Sequence, residues 1–183
     1  MSHPFSMAAR RAALAALAAA VPLLADAHGQ AHSHGDARLD VAVEATRITL
    51  NLATPLDNLL GFERAPRTDA ERQRVQAMTQ RLKAGDAVFA IDPAGGCRLD
   101  DVALTSPVLG LGTAGAAAAA ADAHADLDGA FAFTCTDASK ARYVDVRLFD
   151  GGRLKRLDVQ VVTPGGQAKR TLTPRSPRLV LGR

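Results

Sequence analysis

The strongest constraint on the fold is a stretch in which every second residue is apolar, interrupted once at Ala45–Arg47. Successive side chains of a β-strand point to opposite faces, so this alternation predicts two half-buried strands joined by a short turn. One face of the resulting hairpin has to be covered by the rest of the chain. The alternating apolar residues are Leu39, Val41, Val43, Ile48, Leu50 and Leu52.

A short helical turn is predicted directly after this hairpin. Thr54-Pro55 begins it, with proline at the first helical position, and Gly61 ends it. The turn directs three leucines inward over the hairpin. These are Leu56, Leu59 and Leu60.

One long helix is predicted from Thr68 to about Ala84, ending at Gly85. Thr68 and Glu71 form the pattern of a capping box, in which each side chain pairs with the backbone of the other residue. The apolar residues fall on one stripe and most basic residues lie elsewhere, so the helix is amphipathic with a basic outer side. The stripe consists of Val75, Met78 and Leu82.

Several further runs have the alternation or composition of strands, and they give the fold class. With no regular alternation of strands and helices, the pattern predicts a single α+β domain over residues 39–183, built mostly on antiparallel sheet. A Gly/Ala-rich stretch at 110–124 is expected to be a flexible connection inside this domain, and 174–183 is expected to lie at a sheet edge. The predicted strands are 87–91, 97–104, 127–135, 143–149, 154–162 and a return strand through residues 167–173.

The N-terminal residues 1–27 have the organisation of a secretory signal peptide. Arg10-Arg11 precedes an apolar run, 12–24, that is too short to span a membrane, and Ala25-Asp26-Ala27 has the small-x-small pattern of a cleavage site. The twin arginine lacks the rest of a Tat pattern, which favours the general secretory route. A retained membrane anchor is the alternative. Cleavage leaves residues 28–38 as a histidine-containing tail.

The net charge and the cysteine content exclude two further classes of function, nucleic-acid binding and catalysis by a free thiol. A formal net charge of +3 is too small for a protein that binds nucleic acid through its phosphates. The only cysteines are Cys97 and Cys135. In an exported chain an even number of cysteines predicts disulfide pairing, so we expect one bond between them and no catalytic thiol.

The histidines carry the strongest chemical signal, because three of the five lie close together after the expected cleavage site. His32 and His34 are two residues apart, so in an extended chain both imidazoles point the same way and can reach one Zn²⁺ ion. His28 and His124 are the expected third and fourth ligands, with Asp36, water or a partner as alternatives for the fourth position. A polar disordered leader is the competing interpretation of this tail.

The segment around His124 has its own alternation. Asp122, His124, Asp126 and Asp128 share one face if the segment is extended, which describes either a set of ligands or the solvent face of a strand.

Other chemistry is less well supported by the sequence. Cleavage before His28 would place its imidazole beside a free α-amine, a pair of nitrogen ligands that suits Cu²⁺. The glycines Gly110, Gly112 and Gly115 spell a dinucleotide-binding motif, preceded by a plausible strand and followed by an alanine run of helical composition. Such a site requires a parallel sheet, however, whereas the chain that follows is short, hairpin-like and expected to be exported, so a flexible Gly/Ala linker is favoured. No catalytic combination of Ser, His, Cys and Asp is recognisable, so we predict that the chain is not an enzyme.

The order and the amino-acid sequences of several segments resemble those of the ZrgA-like family of periplasmic zinc-uptake accessory proteins. The resemblance rests on HGQAHSHGDARLDVAVEATRITLNLATPLDNLLGFERAPRTDAER, HADLDGAFAFTC, YVDVRLF and RLDVQVVTPGGQAKRTLTP, which together extend over nearly all of the expected mature chain. It implies an exported protein that binds zinc through histidine-rich segments and assists a zinc-specific ABC importer.

The chain departs from the family pattern at one place. Such proteins carry a loop rich in His, Asp and Glu before the strand that begins near His124, whereas residues 112–121 here are almost entirely Gly and Ala. Two functions of different class are therefore compatible with the sequence. One is a periplasmic zinc-binding accessory protein. The other is a scaffold protein that contacts the importer or its solute-binding protein and whose metal binding is vestigial.

Overall fold

The computed structural model describes residues 34–112, 125–151 and 153–182, and these form an α+β fold, as predicted. Most of the regular structure is antiparallel sheet. The strands are β1 Asp36–Val43, β2 Arg47–Pro55, β3 Phe89–Ile91, β4 Cys97–Thr105, β5 Asp126–Cys135, β6 Tyr143–Val146, β7 Arg156–Thr163, β8 Gly166–Leu172 and β9 Arg178–Val180. The helices are α1 Asp57–Leu60, α2 Asp69–Lys83 and α3 Gly85–Val88.

The strands form two sheets. The larger has six strands in the order β4-β5-β2-β1-β7-β8, and the smaller has three in the order β3-β6-β9. Every pairing is antiparallel except that of β1 with β7, which is parallel. The strand β9 lies at the edge of the smaller sheet, so the C-terminal segment takes the edge position expected for it.

The predicted hairpin forms the centre of the larger sheet. Leu39 lies opposite Leu52, Val41 opposite Leu50, and Val43 opposite Ile48. All six side chains are buried, which confirms the face assigned by their alternation. The two sheets share one core, in which Phe89 of β3 meets Phe131 of β5 edge to face with ring centroids 4.9 Å apart. Such aromatic pairs add to the stabilisation that burial gives.

The capping box at the start of α2 is present as predicted. The Glu71 backbone amide donates to Thr68 Oγ1, and the Glu71 carboxylate accepts from the Thr68 amide. Gly85 does not act as a left-handed cap, however, because it starts α3. Its lack of a side chain serves packing instead: a Cβ there would lie 2.9 Å from Leu99 Cδ1 and 3.0 Å from Phe131 Cδ1.

Two predicted strands are shorter in the structure. Ala87 and Val88 belong to α3, and only Phe89–Ile91 pairs as a strand. Likewise β6 ends at Val146, after which Leu148–Gly151 makes a 3₁₀ turn. Both segments are short and apolar, and a periodicity this brief does not separate a strand from a helical turn.

The predicted disulfide is confirmed. Cys97 and Cys135 lie directly opposite each other on β4 and β5, and their sulfur atoms are bonded at 2.08 Å. Cys135 is buried, as its alternation with Phe131 and Phe133 indicated. The bond links the two antiparallel strands at the end of their pairing.

The two segments predicted to be irregular are only partly described. β1 begins at Asp36, so residues 36–38 of the expected tail belong to the sheet. Leu111 pairs with Ser106 through two backbone hydrogen bonds of 3.0 and 3.1 Å, so the Gly/Ala connection begins with an ordered turn. Residues 113–124 and the predicted signal peptide lie outside the described residues. Among the described helices, none is long and apolar enough to cross a membrane.

Candidate metal centre beside α1

Three strand ends meet at one end of the larger sheet. Pro55, the last residue of β2, pairs with Asp126, the first residue of β5, and Arg38 near the start of β1 pairs with Ala53 of β2. The Leu56 amide also donates to the Ala125 carbonyl at 2.8 Å. The chain therefore enters β1 from His34 and enters β5 from Ala125 on either side of the short helix α1.

Asn58 of α1 fixes the start of β1. Its Oδ1 accepts from the Gly35 amide at 2.7 Å, and its Nδ2 donates to the Asp36 carbonyl at 2.8 Å. Nδ2 also donates to Thr54 Oγ1 at 3.1 Å. Asn58 is only 3% exposed, so one buried amide satisfies three polar groups of two other segments.

Gly35 is held from the other side by β7. Its carbonyl accepts from the amides of Lys155 and Arg156 at 2.8 and 2.9 Å. Its φ of +92° is a conformation that favours glycine, and a Cβ there would lie 3.2 Å from Lys155 Cδ. The backbone beside His34 is therefore fixed before any ligand is considered.

His34 lies against two carboxylates. Its Nδ1 is 3.5 Å from Asp57 Oδ2 and 3.7 Å from Glu63 Oε1, and its side chain is 70% exposed. Asp57 belongs to α1, and Glu63 follows the turn that Gly61 makes with a φ of +83°. The other Asp57 oxygen lies 3.5 Å from Arg153 Nη1, so this carboxylate stands between a histidine and an arginine.

Two acidic residues of β5 lie near the same end of the sheet. Asp126 and Asp128 share one face of the strand, as their spacing predicted. Burial raises the pKa of the Asp128 carboxyl, and the charge of Asp126 raises it further. These two carboxyl groups belong to the strand end that pairs with the end of β2, directly before α1.

His34, Asp57 and Glu63 carry side chains of the kinds that bind zinc. Imidazole nitrogen and carboxylate oxygen are both zinc ligands, and neighbouring ligand atoms around a tetrahedral Zn²⁺ ion lie about 3.3 Å apart. The distances from His34 Nδ1 are only slightly longer. Within the described ranges, however, no three His, Cys, Asp or Glu side chains are arranged to hold a metal ion. A complete site here needs ligands from elsewhere in the chain or from a partner.

Only one of the four histidines predicted to bind zinc lies among the described residues. His34 lies at the end of the sheet just described, whereas His28, His32 and His124 fall outside the residues that the structure describes. Asp36, the alternative fourth ligand, is the first residue of β1 and lies opposite Arg156 of β7. Asp57, Asn58 and Glu63 were missed, because each is an ordinary polar residue in sequence and only the fold brings it to the tail.

Comparison with known proteins identifies the family. No curated protein matches the chain. A family model described as ZrgA family zinc uptake protein matches residues 31–181. The matched region contains both sheets, the three helices and the residues around α1. This match spans most of the sequence, and the chain therefore belongs to the ZrgA family of zinc uptake proteins.

Proposed function

We propose that the chain is an exported, periplasmic protein that binds Zn²⁺ and passes it to a zinc ABC importer or to the importer's solute-binding protein. In this proposal it acts by binding and not as an enzyme. The observation that carries the proposal is the position of His34 between Asp57 and Glu63, at the end of the sheet where the chain also enters β5 from Ala125.

The proposed ligand set combines this fixed histidine with the remaining ones. His32 precedes His34 by two residues and His124 precedes Ala125 by one, so the chain connects both to backbone that adjoins α1. His28 is the further ligand of the tail. A set of imidazoles with carboxylates close by suits Zn²⁺, which takes nitrogen and oxygen ligands.

The affinity is expected to be modest, as suits a protein that has to release its cargo. Ordering a tail residue costs about 1–2 kcal/mol of conformational entropy, which offsets part of the gain from each added ligand. That cost is reduced at His34, because the Gly35 amide donates to Asn58 and the Gly35 carbonyl accepts from Lys155 and Arg156, which already fixes the backbone of Gly35.

Calorimetric titration of the mature chain with Zn²⁺ tests the metal site. We expect saturable binding at pH 7.5 that weakens strongly at pH 5.5, because imidazole must be neutral to bind a metal and its ordinary pKa is about 6.5. His32→Ala with His34→Ala should abolish most of the binding. Asp57→Asn with Glu63→Gln should weaken it by about tenfold or less, since carboxylates near the ion add attraction but the histidines bind it.

Glu44→Gln is the matched control, because Glu44 is an exposed carboxylate in the turn at the opposite end of the β1–β2 hairpin. It should leave the titration unchanged. Full zinc binding in the double histidine variant would refute this ligand set, and tighter binding of Cu²⁺ that requires His28 would favour the copper alternative. A wild-type chain that binds no zinc at either pH would favour the scaffold function.

The compartment and the role in uptake need cell experiments. Fractionation should recover a processed chain lacking residues 1–27 in the periplasm. Deleting the gene should slow growth and zinc accumulation only when zinc is scarce, and the His32→Ala, His34→Ala variant should fail to restore either. Restoration by this variant would mean that the chain supports uptake without its metal site.

A further inference from the structure

A cleft of about 280 Å³ lies between α1, α2 and the 3₁₀ turn at Leu148–Gly151, and its lining includes Asn58 but not His34, Asp57 or Glu63. Its lining is apolar on the core side and basic on the solvent side, where Arg74 and Arg81 stand. Small-molecule sites usually enclose about 300–1,000 Å³. The cleft therefore suits one or two side chains of a partner better than a whole organic ligand. The apolar lining residues are Leu59, Ala77, Met78, Leu82, Val88 and Leu148.

Helix α2 borders this cleft, and few of its residues are buried. It has 15 residues, of which only Leu82 is buried. Val75 and Met78 lie on the same stripe but are only partly buried. A helix in a globular protein is normally stabilised by packing its apolar face, and here two residues of that face pack against the core but are covered only in part.

The charges around the cleft are unbalanced. Both acidic residues of α2 are neutralised within the chain, Asp69 by Arg72 and Glu71 by Arg64. Arg81 is held in place, since its Nη2 contacts the Arg147 carbonyl and lies 3.1 Å from Asp150 Oδ2.

Two cations of α2 remain. Among the described residues, Arg74 and Lys83 form no ion pair, and of these two only Arg74 lines the cleft, so the rim has one positive charge that is not compensated. A partner that complements this rim carries carboxylates.

We propose that this cleft is a docking site for an acidic segment of another protein, which inserts one apolar side chain between α1 and α2 and directs a carboxylate to Arg74. An apolar anchor in a pocket surrounded by complementary charge is a common arrangement at protein interfaces. The proposal does not depend on zinc binding, because the cleft contains none of the proposed metal ligands.

Site-specific photo-crosslinking in the native cells tests the proposal. Ala77 lines the cleft and is exposed, so a benzoylphenylalanine placed there reaches any occupant. Mass spectrometry should map the adduct to a segment of another protein that has net negative charge and an apolar residue at or beside the cross-linked position. The same group at Thr171, an exposed residue of β8, is the control for random capture.

Charge reversal gives the decisive comparison. Arg74→Glu should lower the yield of the Ala77 adduct by at least about fivefold, since like charges repel at an interface. Arg170→Glu, the same change at an exposed residue of β8, should not lower it. Thermal unfolding of each purified variant shows whether the fold is kept.

Several results would overturn the proposal. One group concerns the cross-linked product: an adduct to a second copy of this chain, to a lipid or another small molecule, or to a segment without carboxylates. The other concerns the yield: no adduct at Ala77, or an Arg74→Glu yield equal to that of the wild type.

The His34→Ala variant separates this proposal from the metal site. It should keep the adduct while its zinc titration weakens, so each proposal fails on its own measurement.

Discussion

Asn58 is the residue on which the position of His34 most depends. Replacing it by alanine removes partners from the Gly35 amide and the Asp36 carbonyl. An unsatisfied buried polar group costs about 1–3 kcal/mol, so we expect Asn58→Ala to lower the free energy of unfolding by about 2–3 kcal/mol. It should also weaken zinc binding, because the backbone beside His34 loses its anchor.

Urea denaturation and zinc calorimetry on the same preparation measure both effects. Asn51→Ala is the control, since Asn51 is an exposed asparagine of β2. If Asn58→Ala changes stability but leaves zinc affinity intact, the anchoring of His34 is irrelevant to the metal site.

Glu71 gives a pH dependence of stability that is specific to the start of α2. The hydrogen bonds of its carboxylate with the Arg64 side chain and the backbone amides of Arg67 and Thr68 lower its pKa to about 2. The unfolded chain binds this proton near pH 4.5, so the native contribution is complete above that pH and is lost as the pH falls toward 2.

The test compares the free energy of unfolding of wild type and Glu71→Gln across this range. The difference between them should be largest above pH 5 and should shrink progressively toward pH 2. Glu44→Gln, at an exposed carboxylate outside α2, should show a smaller and flatter difference. A constant difference for Glu71→Gln would mean that the carboxylate contributes through its shape and not through its charge.

The residues whose roles were predicted from the sequence act over short distances along the chain, whereas the residues that were missed contact partners far away in the sequence. The inward face of the hairpin and the capping box follow from spacings of two and three residues. Asn58 contacts Gly35 across 23 positions of the chain, and Arg81 contacts Asp150 across 69. Nothing in the local pattern of a short LDNLL segment distinguishes a buried asparagine that bridges three segments from a surface one.

Among the secondary-structure elements, β4 and β5 are joined covalently as well as by hydrogen bonds. The disulfide closes a loop between residues 38 positions apart, which corresponds to about 4 kcal/mol of stabilisation on the chain-entropy model. Cys97→Ser with Cys135→Ser should therefore lower the free energy of unfolding by roughly that amount. Equilibrium denaturation measures it.

The reduced wild-type chain is the natural control, because it lacks the bond but keeps the sulfur atoms. It should unfold at nearly the same denaturant concentration as the double serine variant. A loss below about 1 kcal/mol in both would show that the loop is already restricted in the unfolded chain.

The predicted elements were correct where a segment was long and its period clear, and less accurate where it was short. Helix α2 and strands β1, β4 and β5 match their sequence patterns closely. Strand β2 is longer than predicted, because Thr54 and Pro55 pair with β5 and do not begin the helical turn; α1 starts at Asp57. The segment Ala87–Ile91 was misjudged because Gly85 allows close packing against Leu99 and Phe131, and α3 forms there before the strand begins. Tertiary packing of that kind is not encoded in the periodicity of five residues.

At the scale of the whole molecule, the sequence predicted the class of the fold but not the order of its strands. Adjacent segments pair as hairpins in β1–β2 and β7–β8, which local turns allow. The parallel pairing of β1 with β7 joins segments far apart in the chain, and it determines which strand lies at the centre of the larger sheet. No turn residue or short motif specifies such a contact.

That parallel pair also sets the order in which the molecule can assemble. Asp36 pairs with Arg156, and the Gly35 carbonyl receives its two hydrogen bonds from residues at the start of β7. The N-terminal end of the sheet thus remains unfinished until the chain has been made beyond that point. Contacts of such long sequence separation form late, because the loop between them must close first. His34, near the start of the chain, is thus among the last residues to reach its final position, because the backbone beside it is not fixed until the chain has been made as far as β7.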